Sequence, residues 1–378
     1  KLFENVVTRI PESLQPIIGP ALEEKTIQKT RERGREEVTE ADLIIGLFEV
    51  TPPAFQPTMI TDLESLGVDY KKYMLLVESG FDHKNDLEKL VNDLKEIGQI
   101  TNVKCDEKAV WDVLNAYKDF FRGSSLSIRT TTKKGEKRDV SVRYVELMMP
   151  HNPDPLTIAL ENELLTEEDH PIYAMYREVL ESLDTLGFGV DLDIRVGLSK
   201  IWVVMIPTPI ETLYPLKFIP RSVEGHSEHF NRFGLKSYAL LGFDFRHKTT
   251  NVYFMIKDPS KSNPEIYANL LRDLGMEPGS KEVMESCCEA HTLYYTFSWE
   301  SNRVERVCFG VVCPDKNQVP IHFHPLMEEF VEQVPFGTDE RKYIYSIPFS
   351  RKGNYLKVEN DYNGTMIDLL LMSAKAGI

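Results

Sequence analysis

Several common chemistries are missing from this chain. It has no Walker or GxGxxG loop, so no glycine-rich turn can seat a nucleotide phosphate at a helix N-terminus. Cysteine is sparse: Cys105, Cys287, Cys288, Cys308 and Cys313 are scattered without CxxC spacing. That pattern offers neither a zinc ribbon nor a disulfide framework and reads as reduced thiols in a cytoplasmic protein. No apolar run approaches the about 20 residues of a membrane span. The N-terminus lacks a signal-peptide pattern, and a start at Lys1 without Met suggests a trimmed chain. Positive charge is in deficit. A net charge of −15 argues against a nucleic-acid surface and makes any local basic pocket conspicuous.

What is present is a folding chain of 378 residues, 42% hydrophobic and 27% charged, large enough for one large or two ordinary domains. Residues 1–50 read as a small helical module. Pro11, Pro16 and Pro20 break its start, Ala21 to Arg33 forms a charged helix stopped by Gly34, and Thr39-Glu-Ala-Asp42 opens a second helix. Residues 51–81 read as a linker, beginning with Thr51-Pro-Pro-Ala-Phe-Gln-Pro57.

From residue 82 a rhythm of two helices and two strands repeats five times. Leu87, Leu90, Val91, Leu94 and Ile97 mark an amphipathic helix, and Val110 to Phe121 another. Strands follow at 125–131 and 139–149, joined by Lys133-Lys-Gly-Glu-Lys137. Helices are expected near 155–166, 171–186, 209–218, 224–233, 266–274, 280–288 and 325–333, and the C-terminal segment 364–375 closes the chain. Strands are expected at 189–196, 200–207, 236–245, 250–256, 291–299, 303–312, 341–349 and 354–361. Ten strands in five antiparallel hairpins with helices between them predict an α+β fold: a ten-stranded antiparallel barrel inside a ring of helices. Apolar side chains then face the helices and polar ones the lumen. Val190, Leu192, Ile194 and Val196 oppose Asp191, Asp193 and Arg195 in this way. A barrel this wide cannot fill its centre with side chains, so it holds a ligand cavity.

Alternation assigns Arg129, Arg143, Lys200, Asn251, Arg306 and Lys357 to the lumen, with Trp202, Tyr253 and Tyr294 as aromatic neighbours. Cations facing one interior repel unless a multivalent anion sits among them, and a diphosphate fits, with arginine forks, lysine point charges and neutral donors. Aromatic faces beside it suit a developing carbocation.

Residues 82–378 resemble the soluble aromatic prenyltransferases of the ABBA or PT-barrel fold, of the bacterial type acting on hydroxynaphthalenes, hydroxybenzoates and phenazines. The resemblance rests on Asp154-Pro155, the Asp191 and Lys200 pair, Asn251-Val-Tyr-Phe254, Trp299-Glu300, Arg306-Val-Cys-Phe309 and Tyr355-Leu-Lys357. It implies that Lys200, Asn251, Arg306 and Lys357 bind the diphosphate of an allylic donor, and that Tyr253 and Tyr294 help bind it and shield the allyl cation. Trp202 stands where many members have tyrosine. Arg143 stands where magnesium-dependent members have a metal-binding aspartate, and Arg129 where a hydroxyl residue is expected. The expectation is therefore a metal-independent enzyme without a cofactor, in which arginine supplies the ion's charge. Its partners are dimethylallyl or geranyl diphosphate and a small electron-rich aromatic acceptor, with farnesyl open. Ala239, Leu240, Gly242 and Ile344 are candidates for the prenyl and acceptor pocket. Glu359 and Asp361, on the face of Lys357, are candidates for orienting the acceptor or taking its proton. Asp191 matches a family aspartate whose role is open without a metal.

The first fifty residues resemble the small C-terminal helical domain of light-independent protochlorophyllide reductases, through Arg9-Ile-Pro11, Glu23-Glu-Lys25, Arg31-Glu-Arg-Gly34 and Val38-Thr-Glu40. They carry no catalytic motif, so docking to a protein partner or self-association is the expected role. Two other readings differ in class or acceptor: an isoprenoid or aromatic-metabolite carrier barrel without catalysis, and an indole-directed enzyme. His322-Phe-His324 has no third ligand nearby and reads as a loop.

Overall fold

The computed structural model describes residues 15–32, positions 38, 43, 46, 47 and 50, and residues 86–121, 124–147, 153–256 and 263–375. In the N-terminal segment a helix spans Gln15–Glu32; it begins before the expected Ala21, so Pro16 and Pro20 lie inside it instead of breaking its start. The Thr39 helix start and the 51–81 linker lie outside the described residues.

The strands are β1 Ser125–Thr131, β2 Val140–Leu147, β3 Thr185–Asp193, β4 Gly197–Pro209, β5 Ser237–Asp244, β6 Thr249–Met255, β7 Thr292–Ser298, β8 Arg306–Cys313, β9 Tyr343–Ser350, the two-residue β10 Gly353–Asn354, and β11 Lys357–Asp361. All pairings are antiparallel. Each strand from β1 to β8 pairs with the next, β8 pairs with β9, β9 with β11, and β11 with β1, which closes a ten-stranded barrel. The predicted strand 354–361 is divided: β10 only extends the β9 turn, and β11 is the stave that seals the barrel.

Alternation holds because each strand has a greasy side for the helices and a polar side for the lumen. Leu126, Ile128, Val142, Leu192, Ile201, Val203, Phe243, Val252, Tyr295, Phe309, Ile347 and Val358 are buried in one annular core with the surrounding helices. Val196 departs from the prediction. It lies in the turn between β3 and β4 and is 44% exposed, because β3 begins at Thr185 and ends at Asp193, several residues before the expected span.

Four helices start where a polar capping side chain precedes proline. Asp154, His170, Asn263 and His324 each accept a backbone N–H of the first turn, and each is followed by proline at the first helical position. His324 is thus a helix cap, while His322 meets Glu282 at the surface. Residues 209–218, expected as a helix, contain only the 3-10 turn Ile210–Leu213.

The two ends of the barrel differ. The hairpin turns ring one end. At the other, a second apolar cluster joins the luminal side chains Val145, Val204, Val312 and Ile344 to Met366, Ile367, Leu369, Leu370 and Leu371. These last five belong to the helix Met366–Lys375, which plugs that end.

Candidate active site

The open end leads into a cavity of about 1000 Å³. Ten cationic and six anionic side chains line it, so a chain of net charge −15 concentrates its positive charge there. Register places the predicted residues on the luminal face. Arg143 lies opposite Asp191, which lies opposite Lys200, which in turn lies opposite Asp244. Asn251 faces Thr296, which faces Arg306, and one step deeper Tyr253 faces Tyr294, which faces Cys308.

The cations fall into two groups. Two arginines are held by carboxylates. Arg129 reaches Asp139 at 2.7 Å and also binds Ser141. Arg143 puts Nη1 2.7 Å from Glu359 and Nε 3.4 Å from Asp191. The other group is freer. Lys200 is 3.6 Å from Asp244, beyond hydrogen-bond reach. Among the described residues Arg306 has only neutral hydrogen-bond partners, the Tyr355 hydroxyl and Thr296 Oγ1, both at 3.2 Å. Lys357 donates to the Tyr294 hydroxyl at 2.5 Å. Arg306 Nε and Asn251 Nδ2 are buried and have no hydrogen-bond partner among the described residues. Buried donors left unmade are costly, and these two flank Thr296, which accepts from Arg306 and donates to Asn251 Oδ1.

The protonation states agree. Burial pushes the Lys357 ammonium well below its ordinary value. Cys308 opposes this, and Arg129, Arg306 and Arg143 add to it. Lys200 is lowered mainly by burial, against the pull of Asp244 and Asp191. Burial alone would raise the Asp244 carboxyl, but Lys200 and His247 hold it below the usual carboxylate range. An incoming polyanion reverses the penalty on both lysines.

Below the cations is an aromatic wall. The Tyr253 and Tyr294 rings stack with centroids 4.5 Å apart, and burial pushes the Tyr253 hydroxyl up to about 12. Trp202 Nε1 donates to the Tyr253 hydroxyl at 3.2 Å. Its indole lies between two glycines on the flanking strands, Gly189 and Gly242. A Cβ at Gly189 would come within 2.8 Å of the indole, and one at Gly242 within 3.0 Å. The Arg143 guanidinium is 5.4 Å from the ring centroid.

Among the pocket candidates, Leu240 faces Tyr253, Ile344 packs under the terminal helix, and Ala239 is the extra residue of a bulge in β5. Glu359 accepts hydrogen bonds from Ser127 and Arg143. Asp361 shares the luminal face, opposite Ser127. Both of its oxygens, however, accept backbone N–H groups, from Met366 at 3.0 Å and Ile367 at 2.8 Å. It holds the plug helix. Alternation already sets Ser127 and Thr296 on the luminal face, and Tyr355 belongs to the Tyr355-Leu-Lys357 motif, but none of the three was given a role in the site; Asp244 and Cys308 were not assigned at all. Both of these alternate in step with residues already assigned to the lumen, which was signal enough to find them.

Residues 85–373 match the family described as aromatic prenyltransferase Orf2. A 5,10-dihydrophenazine-1-carboxylate 9-dimethylallyltransferase from Streptomyces anulatus is 27% identical over 77% of this chain and 98% of its own length. A furaquinocin biosynthesis prenyltransferase from Streptomyces sp. (strain KO-3988) is 27% identical over 75% of this chain and 93% of its own length. A flaviolin linalyltransferase from Streptomyces virginiae is 28% identical over 73% and 92%.

Proposed function

The chain belongs to the aromatic prenyltransferase Orf2 family and transfers prenyl groups to aromatic acceptors; from that premise we propose that it uses dimethylallyl or geranyl diphosphate, without a metal ion. The observation that carries this reading is the convergence of Arg306, Asn251, Lys357 and Lys200, with two orphaned donors among them, directly above the Tyr253 and Tyr294 stack. Charge grows on the diphosphate oxygens as the allylic C–O bond breaks, and the preorganised guanidinium and ammonium groups stabilise it. The positive charge left on the allyl fragment meets the π faces of Tyr253, Tyr294 and Trp202, which also exclude water. An electron-rich ring carbon attacks, and the ring proton is lost.

A divalent ion does not fit these residues. Asp191 and Glu359 are the carboxylates nearest Arg143, and its guanidinium already fills the space between them with positive charge. Among the described residues no group of three or more His, Cys, Asp or Glu is arranged to hold a metal ion. Arg143 and Arg129 therefore act in our reading as fixed counter-charges at the edge of the diphosphate site. Product mass spectrometry with dimethylallyl, geranyl and farnesyl donors, against hydroxynaphthalenes, hydroxybenzoates, phenazines and indoles, tests the assignment. Turnover is expected to persist in EDTA; loss that Mg²⁺ restores would overturn the metal-free reading.

The same reading makes residues 82–378 the catalytic domain, in a reducing cytoplasmic setting consistent with five free thiols. Residues 1–50, with the linker 51–81, serve docking to a partner or a second copy. A chain beginning at residue 82 should keep its turnover, and its sedimentation against the full chain tests self-association.

A further inference from the structure

The outer face of β7 carries a polar contact that the reaction does not use. Its outward side chains Leu293, Tyr295 and Phe297 all pack in the annular core, and Tyr295 alone among them is polar. The Tyr295 hydroxyl meets Nε2 of His229 at 3.0 Å, and His229 Nδ1 meets Asp273 Oδ2 at 2.7 Å. His229 lies on the helix Ser227–Arg232, and Asp273 ends the helix Pro264–Asp273. Arg232 donates to the other Asp273 oxygen. Tyr295 is fully buried and His229 nearly so. One imidazole thus ties two covering helices to one stave.

A carboxylate only accepts, so Nδ1 carries the ring hydrogen and the bare Nε2 accepts from Tyr295. On the luminal side, the residues flanking Tyr295 are Tyr294 and Thr296. Tyr294 stacks on Tyr253 and accepts from Lys357. Thr296 accepts from Arg306 and donates to Asn251. Consecutive side chains of a strand stand on opposite faces of one backbone. A twist of β7 at Tyr295 therefore moves the partners of three diphosphate-site residues.

We propose that His229 is a positioning residue: neutral, it holds β7 so that Tyr294 and Thr296 orient Lys357, Arg306 and Asn251 for the donor, and its protonation releases that hold. This rests on the function proposed above. Protonation puts a hydrogen on Nε2, facing the Tyr295 oxygen. The hydroxyl then has no acceptor, and its own hydrogen turns towards Phe230, Phe254 and Phe297, a loss that a buried donor cannot recover. Burial lowers the His229 pKa; Asp273 opposes this, and His226 and Arg232 add to it. Burial raises the Tyr295 hydroxyl well above its ordinary value, with Tyr267 and Asp273 adding to the effect. On acidification the unfolded chain takes up the histidine proton first, so the stability contributed by neutral His229 is lost as pH falls below about 6.5.

The test is His229→Gln in the full chain, whose amide can donate to Asp273 and accept from Tyr295 without titrating. Donor KM and kcat are measured beside wild type between about pH 8 and pH 5, the range in which histidine changes charge. Protonation of the diphosphate itself affects every chain alike, so the difference between profiles isolates His229. On acidification the wild-type donor KM should rise about 10-fold further than that of the variant, the scale of one lost hydrogen bond, with kcat changing less. Tyr295→Phe removes the hydroxyl that protonation displaces and is a second, conservative variant. Its donor KM should be raised at neutral pH, and it should lack the same acid step. A wild-type acid step in donor KM retained by either folded variant would overturn the proposal. Absence of turnover of any allylic diphosphate by the wild-type chain, at every pH, would overturn the underlying function instead.

Discussion

Lys357 shows how much one buried cation can cost. It is buried, its hydrogen-bond partner is the Tyr294 hydroxyl, and three arginines oppose its charge. Its folded pKa therefore lies below the value of about 10.4 that it regains when unfolded. Over the interval between these values the unfolded chain holds a proton that the folded one has lost, so ligand-free stability rises with pH there. Binding a diphosphate favours the ammonium form. Donor binding should take up protons at pH values above the depressed pKa, and affinity should fall as pH rises. Titration calorimetry in buffers of different ionisation enthalpy reads that uptake, and Lys357→Met should reduce it to the smaller share carried by Lys200. Trp202 is constrained in another way. With a Cβ at Gly189 reaching to 2.8 Å of the indole, Gly189→Ala should destabilise the fold by about 1–3 kcal/mol through overpacking. Adding Trp202→Phe should recover part of the loss in a thermal melt; an additive loss would show that the indole is not the obstacle.

At the scale of elements, the plug helix and its anchor make one unit. Burial raises the Asp361 carboxyl to about 6. Between about pH 4 and 6 the folded chain keeps a proton that the unfolded chain, at about 3.9, has released. Stability should therefore fall as pH rises through that window, by the linkage sign for a raised acid. Asp361→Ala should remove this slope, cost about 1–2 kcal/mol as a lost cap, and speed amide hydrogen exchange in 366–371. An unchanged exchange pattern would show that the apolar cluster alone holds the helix. Elements also show what the sequence made legible. β1 was read to its exact bounds, since Leu126 and Ile128 alternate cleanly with polar residues. The start of β3 was not. Leu186 continues the spacing of the preceding helix, and Gly187 and Gly189 erase the strand pattern. The fold keeps a glycine at 189 for the sake of a tryptophan on the neighbouring strand, a long-range reason invisible in a local window.

At the scale of the molecule, the mouth is a positive funnel in an acidic chain. Association of a diphosphate donor should slow markedly between about 0.01 and 0.15 M salt, as the Debye length shrinks from about 30 to 8 Å. Stopped-flow association rates check this, and a rate indifferent to salt would argue against steering. The same view explains which site residues were readable. Period-two alternation delivered the luminal cations and aromatics one strand at a time. The pairing of Arg143 with Glu359 depends on register and on which strands become neighbours, as does that of Arg129 with Asp139. A single sequence does not encode that as a local pattern.

The closure of the barrel by β11 also sets an order of events during synthesis. Staves β1 to β9 can pair as they emerge, but the seam between β9 and β1 stays open until residues 357–361 appear. The same five residues bring Lys357, Glu359 and the anchor for the plug. A chain cut before them would lose the closing stave, the luminal side chains of Lys357 and Glu359, and the anchor of the terminal helix together, so the enclosed cavity depends on the last segment of the barrel.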